Sequence, residues 1–149
     1  MYELLKALGH KIEPLVPSLF TFNVPDSPLK ELSGIAVPRV HLKIENSSLE
    51  QTGPLLITHF GFSGPAVLKL SAFGAKHLAA LSYQASLKIN WLPDFSYEDL
   101  KKILLDYKEK HCLRLVTTDS PVSLPKNLWK TFLTSLNIES LKWSEISLK

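Results

Sequence analysis

Gly53–Ala72, GPLLITHFGFSGPAVLKLSA, is the stretch whose reading decides the fold. An apolar run, Leu55–Phe60, ends in Thr58-His59-Phe60 and reads as a strand. Gly61, Ser63, Gly64 and Pro65 follow, which is turn chemistry. Pro65 suits the first position of a helix, where its missing N–H would be unpaired in any case. Ser63 or Gly64 is then the N-cap. Ala66–Leu81 reads as the helix, with Val67, Leu68, Leu70 and Leu78 buried and Gly74 as a weak point. The sequence thus sets a strand-turn-helix corner that brings backbone N–H groups and a helix's positive end beside Thr58, His59 and Ser63.

Three chemistries compete for that corner. A nucleophilic serine with His59 as base would want G-x-S-x-G, but the run is Gly61-Phe62-Ser63-Gly64-Pro65 and lacks the last glycine. An ordinary tight turn with a capping serine and a hydrogen-bonded histidine accounts for the same residues. So does a loop that contacts a cofactor or substrate held by another domain, through Thr58, His59, Gly61, Ser63 and Gly64. The catalytic residues themselves stay unassigned.

Working outward, the preceding segment punctuates short strands with turns. Leu19–Val24 alternates loosely, and Pro25-Asp26-Ser27-Pro28 is a turn. Gly34–Val37 and Val40–Ile44 read as two strands divided by Pro38. Within Val40-His41-Leu42-Lys43-Ile44 the alternation is strict, so His41 and Lys43 face outward. Ala85–Trp91 alternates again, with Leu87, Ile89 and Trp91 on one side and Pro93 as its stop. Such a series suits a small barrel or sandwich. At the N-terminus, residues 1–9 read as a short helix with Tyr2, Leu4, Leu5 and Leu8 on one side and Gly9 as its stop.

After Pro93 the period becomes helical. Ser96 and Asp99 form a capping-box pair, and Leu100, Ile103, Leu104 and Tyr107 follow at helical spacing to about His111. Leu124-Pro125 opens a second helix with Leu128, Phe132, Leu133 and Leu136 on one face, and Ser140–Ile146 reads as a third. The last element would stop at Lys149 without a cap, as expected of a helical part cut short. The fold class is therefore α+β: a β-rich, barrel-like part over residues 1–94 with one helix after the corner, then a helical part over 95–149, the boundary falling near Asp94. Trp91, Trp129 and Trp143 sit among apolar periodic residues and read as core or subdomain-interface residues.

Composition narrows the function. The chain has 149 residues, 45% hydrophobic and 21% charged, the balance of a globular protein. One cysteine, Cys112, excludes an internal disulfide and suits a reducing compartment; the cytoplasm is expected. Apolar runs end well short of a membrane span, and the N-terminus is no secretory signal. Net charge is +3, but only Arg39 and Arg114 are arginines and the lysines are scattered, so no nucleic-acid partner is expected. His10, His41, His59, His77 and His111 show no metal-ligand spacing. The six glycines, at 9, 34, 53, 61, 64 and 74, make no phosphate-binding motif.

Three runs carry a family resemblance. Ala7-Leu8-Gly9-His10-Lys11-Ile12 with Pro14–Leu19 resembles an "LGHtI-x-PLvPaLv" run, and Leu29–Val37 resembles "LkeLsGvsv". Gly53–Ser71 resembles the signature "GelLFTHfGlSGPavLqlS", while Pro125–Trp129 and the late WSEIS match more loosely. The family is the BaiN-like NAD(P)/FAD-dependent oxidoreductases of bacteria. The resemblance implies the domain inserted into an FAD-binding Rossmann fold, with a barrel-like part followed by a helical part. It further implies FAD in the complete protein, none bound by these residues alone, and the Rossmann domain as the partner in the same protein. The corner would then cap the active site and exclude water. A stand-alone protein-interaction module with an exposed apolar patch is the competing expectation.

Overall fold

The computed structural model describes residues 1–147. Its elements, in order, are α1 (Tyr2–Ala7), β1 (Phe22–Asn23), a 3-10 turn (Pro28–Leu32), β2 (Ala36–Ile44), β3 (Glu50–Ile57) and β4 (Gly61–Ser63). There follow α2 (Pro65–Phe73), α3 (Ala75–Ala80), β5 (Leu87–Asn90), α4 (Tyr97–Lys110), α5 (Lys126–Ser135) and a second 3-10 turn (Trp143–Glu145). The five strands form one sheet in the order β1-β4-β3-β2-β5, antiparallel at every pairing. Sheet and helices together give the α+β class that the alternation and the later helical period imply.

The strict alternation in Val40–Ile44 does what its period requires. Val37, Val40, Leu42 and Ile44 of β2, Leu55 and Ile57 of β3 and Phe62 of β4 turn inward and are buried. The inward residues pack with Ala66, Val67 and Leu70 of α2, Leu78 of α3 and Leu128 of α5. Full burial of such an aliphatic chain contributes about 1.5–3 kcal/mol, so this cluster is the main source of stability. His41 and Lys43 stay on the outer face, where Glu50 lies within ion-pair distance of both.

Pro38 divides nothing. β2 runs through it as a single strand because Pro38 and Arg39 together oppose Pro54, between the pairs Val37–Leu55 and Val40–Gly53. That bulge absorbs both prolines where a ladder hydrogen bond would otherwise be missing. β3 correspondingly starts at Glu50 and already ends at Ile57, before Thr58-His59-Phe60. Gly61–Ser63 is a strand rather than a loop. The helix expected over Ala66–Leu81 is two helices, broken at Gly74, where a Cβ would sit 2.9 Å from the Leu70 carbonyl.

Ser71 is a fully buried hydroxyl on α2. It donates to the Leu68 carbonyl and accepts from the Phe20 N–H, both at 2.9 Å, tying the approach to β1 onto the helix. Ser71→Ala leaves that N–H without an acceptor, and a loss of about 1–3 kcal/mol in urea unfolding is expected.

In the helical region Ser96 and Asp99 form the capping box as expected. The Ser96 hydroxyl, 2.6 Å from the Asp99 carboxylate, holds that carboxyl below its ordinary pKa. A lowered folded-state value means that this support is present at neutral pH and lost as pH falls through it. Ser96→Ala is expected to cost about 1 kcal/mol and to return the Asp99 titration, followed by NMR, toward the ordinary carboxylate range.

Val116, Leu133 and Trp143 form a second buried cluster with Leu104, Tyr107, Trp129, Ile138 and Ile146 around it. Trp129 donates its indole N–H to the Val116 carbonyl at 2.9 Å. Trp91 lies between Phe62 of β4 and Phe132 of α5, at ring distances of 6.4 and 5.6 Å, so an aromatic stack links the sheet to that helix. Leu136 is 65% exposed and lies off the buried face of α5. The helix expected over Ser140–Ile146 is only the short 3-10 turn, and the chain end at Lys149 lies outside the described residues.

α1 has no buried residue; Leu4 and Leu8 stand open to solvent. It closes as its glycine implies: Gly9, at φ 86°, lets its own N–H and that of His10 bond back to the Lys6 and Leu5 carbonyls.

Candidate functional site

β3 and β4 are joined by a tight hairpin, Thr58-His59-Phe60-Gly61. The Thr58 N–H donates to the Gly61 carbonyl at 2.8 Å, and the Gly61 N–H returns to the Thr58 carbonyl at 3.2 Å. Thr58 Oγ1 lies 3.2 Å from both the Gly61 carbonyl oxygen and the Gly61 nitrogen. Thr58 and Gly61 are therefore brought together, and the threonine hydroxyl is engaged by the turn.

At the tip, His59 is exposed and its ring lies 4.0 Å from that of Phe60, which is 65% exposed. A hairpin anchored by Ile57–Phe62 and Leu56–Ser63 pairs thus holds out a histidine and an aromatic ring. Ser63 is half-buried and falls in the row Ala36–Leu56–Ser63, opposite in face to the inward Phe62. Its partner Leu56 lies within β3, whereas His59 sits on the turn beyond that strand's end. No hydrogen bond joins Ser63 to His59 among the described residues, so a paired nucleophile and base is not assembled.

The two glycines meet backbone, not empty space. A Cβ on Gly61 would overlap the Phe22 carbonyl oxygen and lie 2.7 Å from the Val24 nitrogen. Gly64, at φ 98°, turns the chain from β4 into α2, and its Cβ would lie 2.9 Å from the Leu56 nitrogen. Gly64, not Ser63, is the N-cap, with no side-chain hydrogen bond. Behind it Ala66 and Val67 are buried, with Ala66 against Gly53 of β3.

A cleft of about 390 Å³ lies elsewhere on the sheet, lined among others by Phe20, Phe22, Leu78, Tyr83 and Leu87. β1 and β5, the two outer strands, both border it, so the sheet curls until its edges face one another. The sequence does not announce this feature. The one available signal was the Phe20-Thr21-Phe22 alternation, which does not say what those rings would face.

Neither cleft fits the diphosphate of a flavin dinucleotide. The one between the sheet edges has no charged lining residue, and its more polar neighbour presents Glu45, whose carboxyl Lys88 holds below the ordinary value by hydrogen bond and charge. Among the described residues no three His, Cys, Asp or Glu side chains gather to hold a metal ion, and no helix is long and apolar enough to cross a membrane.

A curled antiparallel sheet roofed by α2 and α3, with a helical region docked through α5 and an exposed histidine–aromatic hairpin tip, defines an α+β domain of barrel-and-helix type. Residues 16–149 match the model of the HI0933-like protein barrel and H2TH domain. The chain belongs to that family, one of FAD-dependent oxidoreductase-like proteins. It is 32% identical over 132 residues to the ribosomal RNA dihydrouridine synthase of Escherichia coli K12, covering 85% of this chain and 30% of that protein. To the 3-dehydro-bile acid delta(4,6)-reductase of Clostridium scindens it is 26% identical over 114 residues, covering 73% of this chain and 27% of that protein. The chain thus spans under a third of the length of these relatives.

Proposed function

We propose that these residues are the inserted, substrate-side domain of a cytoplasmic FAD- and NAD(P)-dependent oxidoreductase, and that the flavin is gripped by a Rossmann-type domain of the same protein. One observation carries this reading: a single family domain fills residues 16–149, while two relatives, one of them named as a reductase, are more than three times as long as the matched part. In this reading the chain divides near Asp94 into a barrel-like part, 1–94, and a helical part, 95–149.

The site residues keep distinct roles in the proposal. Thr58, Gly61 and Gly64 fix the hairpin and its exit into α2 by hydrogen bonding and close backbone approach. His59, with Phe60, is the group held toward the flavin or substrate, and Ser63 lies on the open face below it. The hairpin's work is to exclude water and position a substrate, which a short, fully hydrogen-bonded turn does well. The two relatives' names give different substrates, ribosomal RNA and a bile acid, so the substrate is not carried over.

The test is kinetic, in the polypeptide that includes the flanking flavoprotein segments. His59→Ala and Phe60→Ala are each expected to lower kcat/KM by about tenfold or more, with flavin content and melting temperature unchanged, because both side chains are solvent-exposed in this domain. Unchanged kcat/KM in both would remove the tip from the active site.

A second reading has its own observation. Tyr2 and Leu4 of α1, with Leu8, Leu15 and Leu19, expose apolar surface that suits a partner. In an inserted domain that surface packs on the rest of the protein; in a stand-alone interaction module it would bind another chain. A reading frame with flavoprotein halves on both sides decides for the first.

A further inference from the structure

We propose that the cleft between the two edges of the sheet is a binding site for a neutral, ring-bearing apolar molecule. Its volume of about 390 Å³ falls in the range of small-molecule pockets. Ile44, Leu78 and Leu87 supply aliphatic surface, and Phe20, Phe22 and Tyr83 supply aromatic surface. The rings are arranged edge-on, Phe20 to Tyr83 at 5.8 Å and Phe20 to Phe22 at 6.1 Å, an arrangement that leaves faces and edges for a further ring. Thr21 and Asn23 are the polar side chains among the lining residues, besides the Tyr83 hydroxyl, and none is charged. A carboxylate or phosphate would be stripped of water there without a compensating cation.

The backbone gives an independent reason. Ser82 and Tyr83 are consecutive non-glycine residues at φ 53° and 60°, and Leu19, next to Phe20, has φ 61°. Left-handed backbone costs roughly 1–2 kcal/mol per such residue. The strain falls on the two segments that bring Phe20 and Tyr83 together, and strain of this kind collects where a ligand is clamped. Addition of an extended peptide strand suits the place less well. β1 is two residues long, and the Phe20 N–H is already taken by Ser71.

The test uses 1-aminoanthracene, an uncharged fluorescent ring compound. Saturable uptake of one probe per chain is expected, displaced by the neutral steroid androstenedione and not by AMP. Tyr83→Gly removes the ring while favouring the left-handed backbone, so the fold should hold while affinity drops by at least about tenfold. Ala85→Trp, placed on an exposed lining residue, should block the cleft at unchanged melting temperature. Non-saturating uptake, equal affinity in Tyr83→Gly, or displacement by AMP would overturn the proposal. So would loss of probe binding when the flanking segments are attached, since the cleft would then be covered by the polypeptide itself.

Discussion

Gly61→Ala is expected to lower the stability of the chain by about 3 kcal/mol or more, the largest effect of any single methyl group added here. Two terms combine. Gly61 stands at φ 152°, and its Cβ would overlap the Phe22 carbonyl oxygen and crowd the Val24 nitrogen. Those atoms are backbone, so relief requires β1 to move off β4, breaking the Phe22–Phe62 and Asn23–Gly61 pairs. Gly34→Ala is the matched control: φ is 93°, but nothing lies within 4 Å of the added carbon. It should cost only about 1–2 kcal/mol, the left-handed backbone term by itself. Urea unfolding of the two variants separates close packing from conformational strain. Equal losses would mean that β1 does not press on the hairpin as described.

Leu128→Ala should cost about 2–5 kcal/mol. Leu128 is fully buried, and although it belongs to α5 it packs in the cluster built by the sheet. Its removal opens a void in that cluster, where α5 meets the Pro28–Leu32 turn, and loosens the helical region from the rest of the core. Tryptophan fluorescence and far-UV circular dichroism should lose their signals in one shared transition at lower urea. A loss below about 1 kcal/mol would show that α5 is not seated on the main core.

What could be read from the sequence follows from where period and burial coincide. Val40–Ile44 and Leu87–Asn90 are half-buried strands, so their alternation is legible residue by residue. α4 announces itself because its capping box is a local hydrogen-bonded unit independent of tertiary context. The errors lie where a partner segment overrides a local signal. Pro38 reads as a strand breaker, but with Arg39 it lies opposite Pro54 of β3, a relation that no single window contains. Gly61-Phe62-Ser63 reads as loop because both of its neighbours in the sheet, β1 and β3, are remote or reversed in sequence. The exposed Leu136 fits the helical spacing of α5 as well as the buried Leu133 does, and only the second cluster's position separates them.

The site was legible in kind and not in geometry. The run Thr58–Gly64 stands out in the sequence because glycine, serine and histidine crowd a strand-helix junction. The structure gives Thr58, Gly61 and Gly64 duties within the fold, which accounts for their residue types without any ligand. Among the described residues His59 has no such duty beyond its contact with Phe60, and it is on His59 that the proposed role rests. The cleft between the sheet edges was invisible beforehand because it is made by curvature, which brings β1 and β5 together from opposite ends of the strand order.

Titration of FAD, followed by calorimetry, tests the central claim most directly. If this domain is one wall of a flavin site whose phosphate grip lies elsewhere, the chain alone gives no saturable binding. The polypeptide that joins it to its flanking segments then takes up one FAD per molecule. Stoichiometric FAD binding by residues 1–149 alone would contradict the account.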